Sequence, residues 1–121
     1  MNNDRKRALV IDDEEALLEI ITEVLNILNI EPVTASTGIE ALDIASKSNN
    51  SFDLMIIDLF LPQMNGEETC QKLRAYYPDC PVLFVSGYDG SEKKHAIDKN
   101  SKFLKKPFTI VNLQKTILDM I

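Results

Sequence analysis

The run Leu54–Asp58 constrains the fold of this chain more than any other stretch of its sequence. Four apolar residues follow one another without alternation and lead directly into a carboxylate. A short apolar run of this kind is typical of a central strand that is buried on both faces. Because an ionised side chain at the end of such a strand loses hydration, it needs a compensating partner. Turn-forming residues follow at 59–66, so we expect Asp58 to lie at the mouth of the sheet and to face solvent.

The rest of the chain alternates between short apolar runs and longer segments with helical spacing. Strands are predicted at residues 7–11, 32–35, 54–58, 81–85 and 102–105, and a helical segment follows each of them. The fourth helical segment, residues 91–99, is polar and has the weakest pattern. Strands that alternate with helices through short connections predict an α/β fold, in which a five-stranded parallel sheet carries helices on both faces.

Two of the predicted helices have start signals. Thr37 and Glu40 have the spacing of a capping box, and Asn65 precedes another glutamate by the same three residues. In the helix that begins near Thr37, we expect Ile39, Leu42 and Ala45 to form the buried side. These signals place the second and third helices directly after the second and third strands.

The length, composition and charge of the chain are typical of a globular domain. It has 121 residues, of which 45% are hydrophobic and 26% charged, and we expect residues 1–121 to form a single domain. The net charge of −6 disfavours direct binding of nucleic acid. No apolar run reaches the length of a membrane span, and the N-terminus is polar, so we expect a cytoplasmic protein with no membrane insertion. Cys70 and Cys80 form no metal-binding pattern, and we interpret both as small apolar residues.

Polar side chains follow four of the five predicted strands. These residues are Asp12 and Asp13 after the first strand, Asp58 at the end of the third, Ser86 after the fourth and Lys106 after the fifth. In a doubly wound sheet, ligands bind at the carboxyl ends of the strands, where the strand order reverses. Neighbouring carboxylates repel one another, and a hard divalent cation such as Mg²⁺ would compensate their charge. A lysine and a hydroxyl beside that cation would complete a phosphate site.

The order and spacing of these residues resemble a known family. Residues 10–14 read Val-Ile-Asp-Asp-Glu, and Asp58 is followed by Leu-Pro-x-Met-Asn-Gly at 61–66. Ser-Gly at 86–87 and Lys-Pro-Phe at 106–108 complete the pattern. The chain resembles the receiver domain of bacterial two-component response regulators over nearly its whole length, and residues 86–88 and 103–108 look like receivers attached to hybrid histidine kinases. The resemblance implies a flavodoxin-like receiver fold with strand order 2-1-3-4-5.

The resemblance also implies how the site would work. Asp58 would be the phosphoacceptor and would take a phosphoryl group from a sensor histidine kinase or a phosphotransfer protein. Mg²⁺ would be the cofactor, and its protein ligands would be Asp12, Asp13, Asp58 and the backbone carbonyl of Phe60. Lys106, which directly precedes the proline, would contact a phosphoryl oxygen. The chain would then assist only its own phosphorylation and dephosphorylation and would not be an enzyme in the usual sense.

A second group of residues would carry the signal. The hydroxyl of Ser86 would move to bond a phosphoryl oxygen, and the ring of Phe103 would turn inward after it. This change between two states would regulate a partner protein or an output domain. The sequence does not distinguish a stand-alone regulator from one piece of a longer protein.

Three residues that flank the site bear on access to the phosphoryl group. Phe60 lies two residues after Asp58, and Tyr88 lies two residues after Ser86. Bulky rings at these positions would hinder the water that hydrolyses an acyl phosphate, so we expect slow self-dephosphorylation. Gly87 would leave the entrance open to a small donor or a kinase.

The segment from 89 to 102 departs from the family pattern. It is short and lacks the usual Gly-Ala before the fifth strand, so we expect its helix to be frayed or displaced. Residues 91–106 carry six lysines against two acids. This basic charge is compatible with an acidic partner, although a solvated lysine-rich helix is the simpler interpretation.

Each site residue alone also has a structural interpretation, and only their combination favours the receiver. A strand-end aspartate pair can be a helix cap, and a lone lysine is most often a solvated charge. The main alternative is a Mg²⁺-dependent phosphatase with an aspartyl-phosphate intermediate, but such enzymes usually have Asp-x-Asp after their first strand. A flavodoxin-like cofactor binder would need a phosphate-cradling loop after the first strand, and none is present. A degenerate receiver that signals without phosphate is disfavoured because every acidic and basic site residue is kept.

Overall fold

The computed structural model describes residues 5–47, 51–87 and 100–121. Within them, strands and helices follow one another in the order β1 (Lys6–Ile11), α1 (Glu15–Ile27), β2 (Ile30–Ala35), α2 (Gly38–Lys47), β3 (Leu54–Asp58), α3 (Gly66–Leu73), β4 (Val82–Ser86), β5 (Ser101–Lys105) and α4 (Ile110–Met120). All five predicted strands are confirmed, with ends that differ from the prediction by at most two residues. The helix predicted at residues 91–99 lies outside the described residues.

The five strands form one parallel sheet in the order β2-β1-β3-β4-β5. Strand β3 lies at its centre, and every residue of β3 and β4 is buried. Continuous burial explains why these two strands have unbroken apolar sequences. The strand order reverses between β1 and β3, so the predicted crevice lies beside Asp58 at the carboxyl end of β3.

A separate hydrophobic core lies on each face of the sheet. Alternate residues of β1 divide between them, with Leu9 and Ile11 in one core and Ala8 and Val10 in the other. Helices α2 and α3 cover the first face, and α1 and α4 cover the second. The prediction of helices on both faces is therefore confirmed.

Side-chain caps mark the helix starts that the sequence predicts. The Oδ1 of Asn65 accepts a hydrogen bond from the backbone N–H of Glu68 at 2.9 Å. The Oγ1 of Thr37 accepts one from the N–H of Glu40 at 3.0 Å. The carboxylate of Glu40 reaches back to the backbone N–H of Ser36 at 2.8 Å, one residue before the cap. These bonds satisfy N–H groups that have no partner inside the helix.

The predicted buried face of α2 is wrong at one residue. Ile39 is 60% exposed, whereas Ala45 is buried as predicted, together with Gly38 and Ala41. Gly38 packs closely against α3, since a Cβ atom added to it would collide with the Oγ1 of Thr69 in that helix and would lie 2.7 Å from the Cε of Met64. Helix α2 therefore approaches its neighbour through its small residues, and this rotation turns Ile39 toward solvent.

Candidate functional site

The carboxyl ends of four strands bring the predicted site residues together. Asp12 and Asp13 follow β1, Asp58 ends β3, Ser86 ends β4 and Lys106 follows β5. Carboxylate oxygens of the three aspartates all lie within 4.8 Å of one another. The predicted acidic cluster is therefore present, and the parallel sheet places it at the edge where ligands bind in folds of this class.

Asp12 is buried and is hydrogen-bonded to the residue that precedes α1. Its side chain is buried, and its Oδ1 accepts a hydrogen bond from the backbone N–H of Glu14 at 2.9 Å. Its Oδ2 is also buried and has no hydrogen-bond donor among the described residues. The Nζ of Lys106 lies 3.6 Å from this oxygen. Burial raises the pKa of Asp12, and the charge of Asp58 adds to the rise, while the bond from Glu14 and the lysine oppose it.

Asp58 lies beside Asp12 and shares its lysine. It is 7% exposed, so its carboxylate is close to solvent without being surrounded by it. Its Oδ1 accepts a hydrogen bond from the backbone N–H of Phe60 at 3.2 Å, and its Oδ2 lies 3.8 Å from the Nζ of Lys106. Burial raises the pKa of Asp58, and the charges of Asp13 and Glu14 add to the rise. Lys106 thus faces two buried carboxylates.

This donor set fits a hard divalent cation. Asp13 is exposed while its two neighbours are buried, so the cluster has an open side toward water. The buried Oδ2 of Asp12 lacks a donor, as expected of an oxygen that binds a cation. Oxygen ligands on an open site, with room for water and phosphate oxygens, suit Mg²⁺. The acidic triad therefore has the composition and grouping of a Mg²⁺ site, and the backbone carbonyl of Phe60 stays a predicted ligand.

The loop after Asp58 requires Gly66, and the sequence did not predict this requirement. The backbone N–H of Gly66 donates to the carbonyl of Leu59 at 2.8 Å. A Cβ atom on Gly66 would lie 2.7 Å from the Cα of Leu59 and even closer to the carbonyl oxygen of Asp58. Only glycine permits this approach, which fixes the start of α3 against the end of β3. The Asn-Gly pair at 65–66 signals a turn, but the close contact arises only in the folded chain.

Strand β5 positions the lysine. The backbone N–H of Lys106 donates to the carbonyl of Ser86 at 2.7 Å, and the Lys106–Pro107 peptide bond is cis. Its neighbour Lys105 is exposed, whereas Lys106 reaches both buried aspartates. Of the two adjacent lysines, the structure therefore brings Lys106 to the acidic cluster. Ser86 is 2% exposed and lies at the neighbouring strand end.

The other predicted residues surround this centre. Phe103 is half-buried, and its ring centroid lies 5.7 Å from that of Phe84 at a tilt of 32°. Phe60 is 48% exposed. Gly87 is exposed, and a Cβ atom added to it would meet nothing within 4 Å. Tyr88 lies outside the described residues, so its place beside the site stays a prediction.

Comparison with known proteins identifies the family. The family model for the response regulator receiver domain matches residues 8–118. The chain belongs to this family. Receiver domains are signalling phosphoacceptors of two-component systems and not enzymes that turn over a substrate, and the chain shares their acidic pocket.

Relatives of this receiver include parts of both kinases and regulators. It is 30% identical over 115 residues to the sensor kinase CckA of Brucella abortus, matching 93% of this chain and 12% of the kinase. It is 33% identical over 109 residues to the response regulator MprA of Mycobacterium sp. strain KMS, matching 88% of this chain and 46% of the regulator. The chain therefore spans less than half the length of both relatives.

A solved structure shares this fold over 97% of the chain. The chemotaxis protein CheY4 of Vibrio cholerae superposes with a TM-score of 0.87 at 30% identity, covering 97% of this chain and 99% of CheY4. The predicted receiver fold is therefore confirmed. In the ranges 5–47, 51–87 and 100–121, no helix has the length and hydrophobicity needed to cross a membrane.

Proposed function

We propose that this receiver takes a phosphoryl group onto Asp58 from a sensor histidine kinase or a phosphotransfer protein and thereby regulates a partner or an output domain. The observation that carries the proposal is the grouping of Asp12, Asp13 and Asp58 within 4.8 Å, with Lys106 beside two of them. Two buried carboxylates that share one lysine cost folding free energy, so a functional ligand is the simplest explanation of the cluster.

The transfer step follows from the position of Asp58. An Oδ atom of Asp58 forms a bond to phosphorus, and the bond from phosphorus to the donor's imidazole nitrogen breaks. The imidazole leaves with the bonding electron pair, and an acyl phosphate remains on the chain. Mg²⁺ held by Asp12, Asp13, Asp58 and the carbonyl of Phe60 would supply positive charge to the transferring oxygens. The ammonium of Lys106 stabilises another of these oxygens.

Modification then changes the balance between two conformations of the β4–β5 edge. The new phosphoryl oxygens offer acceptors to the hydroxyl of Ser86, which lies at the end of β4. Movement of Ser86 frees space for the ring of Phe103, which is half-buried against Phe84 in the described conformation. The phosphoryl group shifts the equilibrium only by its differential contacts with the two states.

We also infer the domain organisation and the cellular location of this receiver. Residues 1–121 act as one domain, either alone or as part of a longer protein, and the phosphodonor is available in the cytoplasm. A Mg²⁺-dependent phosphatase has less support, because β1 is followed by adjacent aspartates and Asp58 has phenylalanine two residues later.

A phosphoryl analogue tests the proposal without a kinase. Beryllofluoride with Mg²⁺ should bind Asp58, giving a bound ¹⁹F NMR signal and a higher Tm for the wild-type chain. Asp58→Asn and samples without Mg²⁺ should give neither. Glu19→Gln, which removes an exposed acid from α1, is the matched control and should behave as wild type. An equal response from Asp58→Asn would place the ligand elsewhere and refute the proposal.

A further inference from the structure

Within the described residues, the side chain of Glu14 does not stabilise the start of α1. The residue is the N-cap of α1, yet its side chain makes no cap hydrogen bond. Only its backbone is used, because its N–H donates to Asp12 and its carbonyl accepts from the N–H groups of Leu17 and Leu18. Serine, threonine, asparagine or aspartate would cap this helix better. Helix stability therefore does not explain why residue 14 is a glutamate.

Glu14 faces a cavity that adjoins the phosphoacceptor site. The cavity has a volume of about 540 Å³, and its described lining is apolar except for Glu14, Lys106 and Gly87. Lys106 is the lysine that contacts the two buried aspartates, and Gly87 directly follows Ser86. Glu14 is thus the one acid among the described lining residues, and it shares this lining with Lys106.

The carboxylate of Glu14 also acts on the acceptor itself. Burial is the main cause of the raised pKa of Asp58, and the charge of Glu14 contributes to the rise. An interaction that opposes ionisation of Asp58 also opposes the approach of other negative charge to it.

We propose that Glu14 is a specificity-determining residue that selects phosphodonors by charge, disfavouring dianionic donors relative to donors that carry positive charge next to phosphorus. The proposal rests on the proposed function, since it concerns transfer onto Asp58. Acetyl phosphate is a dianion at neutral pH, whereas phosphoramidate carries a protonated nitrogen and has one net negative charge. A phosphohistidine resembles the second donor, because nitrogen is bonded to phosphorus in both.

The two donors transfer the same group with different leaving groups. In each case an Oδ atom of Asp58 forms the bond to phosphorus. With acetyl phosphate, the phosphorus–oxygen bond breaks and acetate leaves with the electron pair. With phosphoramidate, the phosphorus–nitrogen bond breaks and ammonia leaves, keeping the protons that its nitrogen already carried. The acyl phosphate formed is identical, so a difference between donors reports on their approach and departure.

Charge removal at residue 14 tests the proposal. Second-order rate constants for both donors are measured by intact mass, at saturating Mg²⁺ and low ionic strength, for wild type, Glu14→Gln and Glu15→Gln. Glu14→Gln should react about threefold faster with acetyl phosphate and less than about 1.5-fold faster with phosphoramidate. Added salt should reduce the acetyl phosphate effect, because it screens an exposed charge. Glu15→Gln removes the same charge from the next residue, which does not line the cavity, and should match wild type.

Several results would overturn the proposal. An equal acceleration with both donors would indicate a general effect on the site, and an equal effect in Glu15→Gln would indicate net charge alone. Unchanged rates in Glu14→Gln would remove the role outright. Glu14→Ser removes the charge while supplying a better helix cap, so a result that differs from Glu14→Gln would mean that helix stability and not charge is measured. If wild type accepts phosphate from neither donor, the proposed function fails, which is a distinct outcome.

Discussion

Burial of the charged Asp58 side chain lowers the unfolding free energy, and a neutral side chain should remove this loss. Since its pKa is raised above the ordinary value of 3.8, the ionised form disfavours folding. This loss of stability is absent below pH 3.8, grows as the pH rises through the raised pKa of Asp58 and is complete above that pKa. Asp58→Asn should therefore increase the unfolding free energy by about 1 kcal/mol at neutral pH without Mg²⁺.

Urea unfolding of both proteins in a chelator, at pH values from about 4 to about 8, measures this difference. The gain from Asp58→Asn should shrink toward acidic pH. Glu19→Gln, at an exposed position of α1, should show no such trend. A gain that stays constant with pH would mean that the substitution acts through packing and not through charge.

Phe60 is the residue through which we expect the acyl phosphate to be shielded. It lies two residues after the acceptor and is 48% exposed, so its ring is available to cover the entrance. Phe60→Asn should admit water and accelerate loss of the phosphoryl group by about fivefold. The decay of the phosphorylated mass after donor removal measures this rate.

Tyr76 offers a matched control for Phe60. It is also aromatic, is 47% exposed and lies after α3, outside the site. Tyr76→Asn should leave the decay rate unchanged. If both substitutions alter the decay rate of the acyl phosphate, or if neither does, the ring of Phe60 has no shielding role.

At the scale of elements, the junction of β3 and α3 holds the acceptor in place. Gly66→Ala would force a methyl group against the backbone of Asp58 and Leu59, neither of which can move without disturbing the central strand. We expect a loss of about 2 kcal/mol or more in unfolding free energy and slower phosphorylation. Gly87→Ala places the same methyl group in open space and should cost almost nothing. Denaturant unfolding of the two variants makes the comparison, and equal losses would contradict the close packing at Gly66.

Strand β3 and helix α3 were predictable from the sequence because each carries a local signal. The apolar run of β3 and the Asn65 cap of α3 each depend on residues close together in sequence, and both are confirmed. The outward turn of Ile39 was not predictable, because it follows from the contact of Gly38 with α3. The role of Gly66 was missed for the same reason, since its neighbours come from the preceding strand.

For the whole molecule, alternation of apolar runs and helices predicts a parallel α/β sheet, but the pairing order depends on contacts between distant segments. The order β2-β1-β3-β4-β5 was expected only through the resemblance to receivers. Likewise, the separate motifs predict polar strand ends. The sheet order then brings the Nζ of Lys106 to 3.6 Å from Asp12 and 3.8 Å from Asp58.

Cation binding should stabilise the whole fold, because it acts on the folded state alone. Millimolar Mg²⁺ should raise the Tm of wild type by several degrees, since ligand binding adds RT ln(1 + [L]/Kd) to stability. Asp13→Asn should abolish this shift, because the exposed aspartate completes the open side of the site. Asp119→Asn, at an exposed position of α4, should retain it. An unchanged shift in Asp13→Asn would exclude the acidic cluster as the binding site.

The most direct test of the account is the intact mass of the chain after incubation with acetyl phosphate and Mg²⁺. Wild type should gain the mass of one phosphoryl group, and a chelator should prevent the gain. Asp58→Asn should gain nothing under the same conditions. Phosphorylation of Asp58→Asn to the same extent, or of wild type without a divalent cation at the same rate, would contradict the claim that Asp58 is the metal-assisted acceptor.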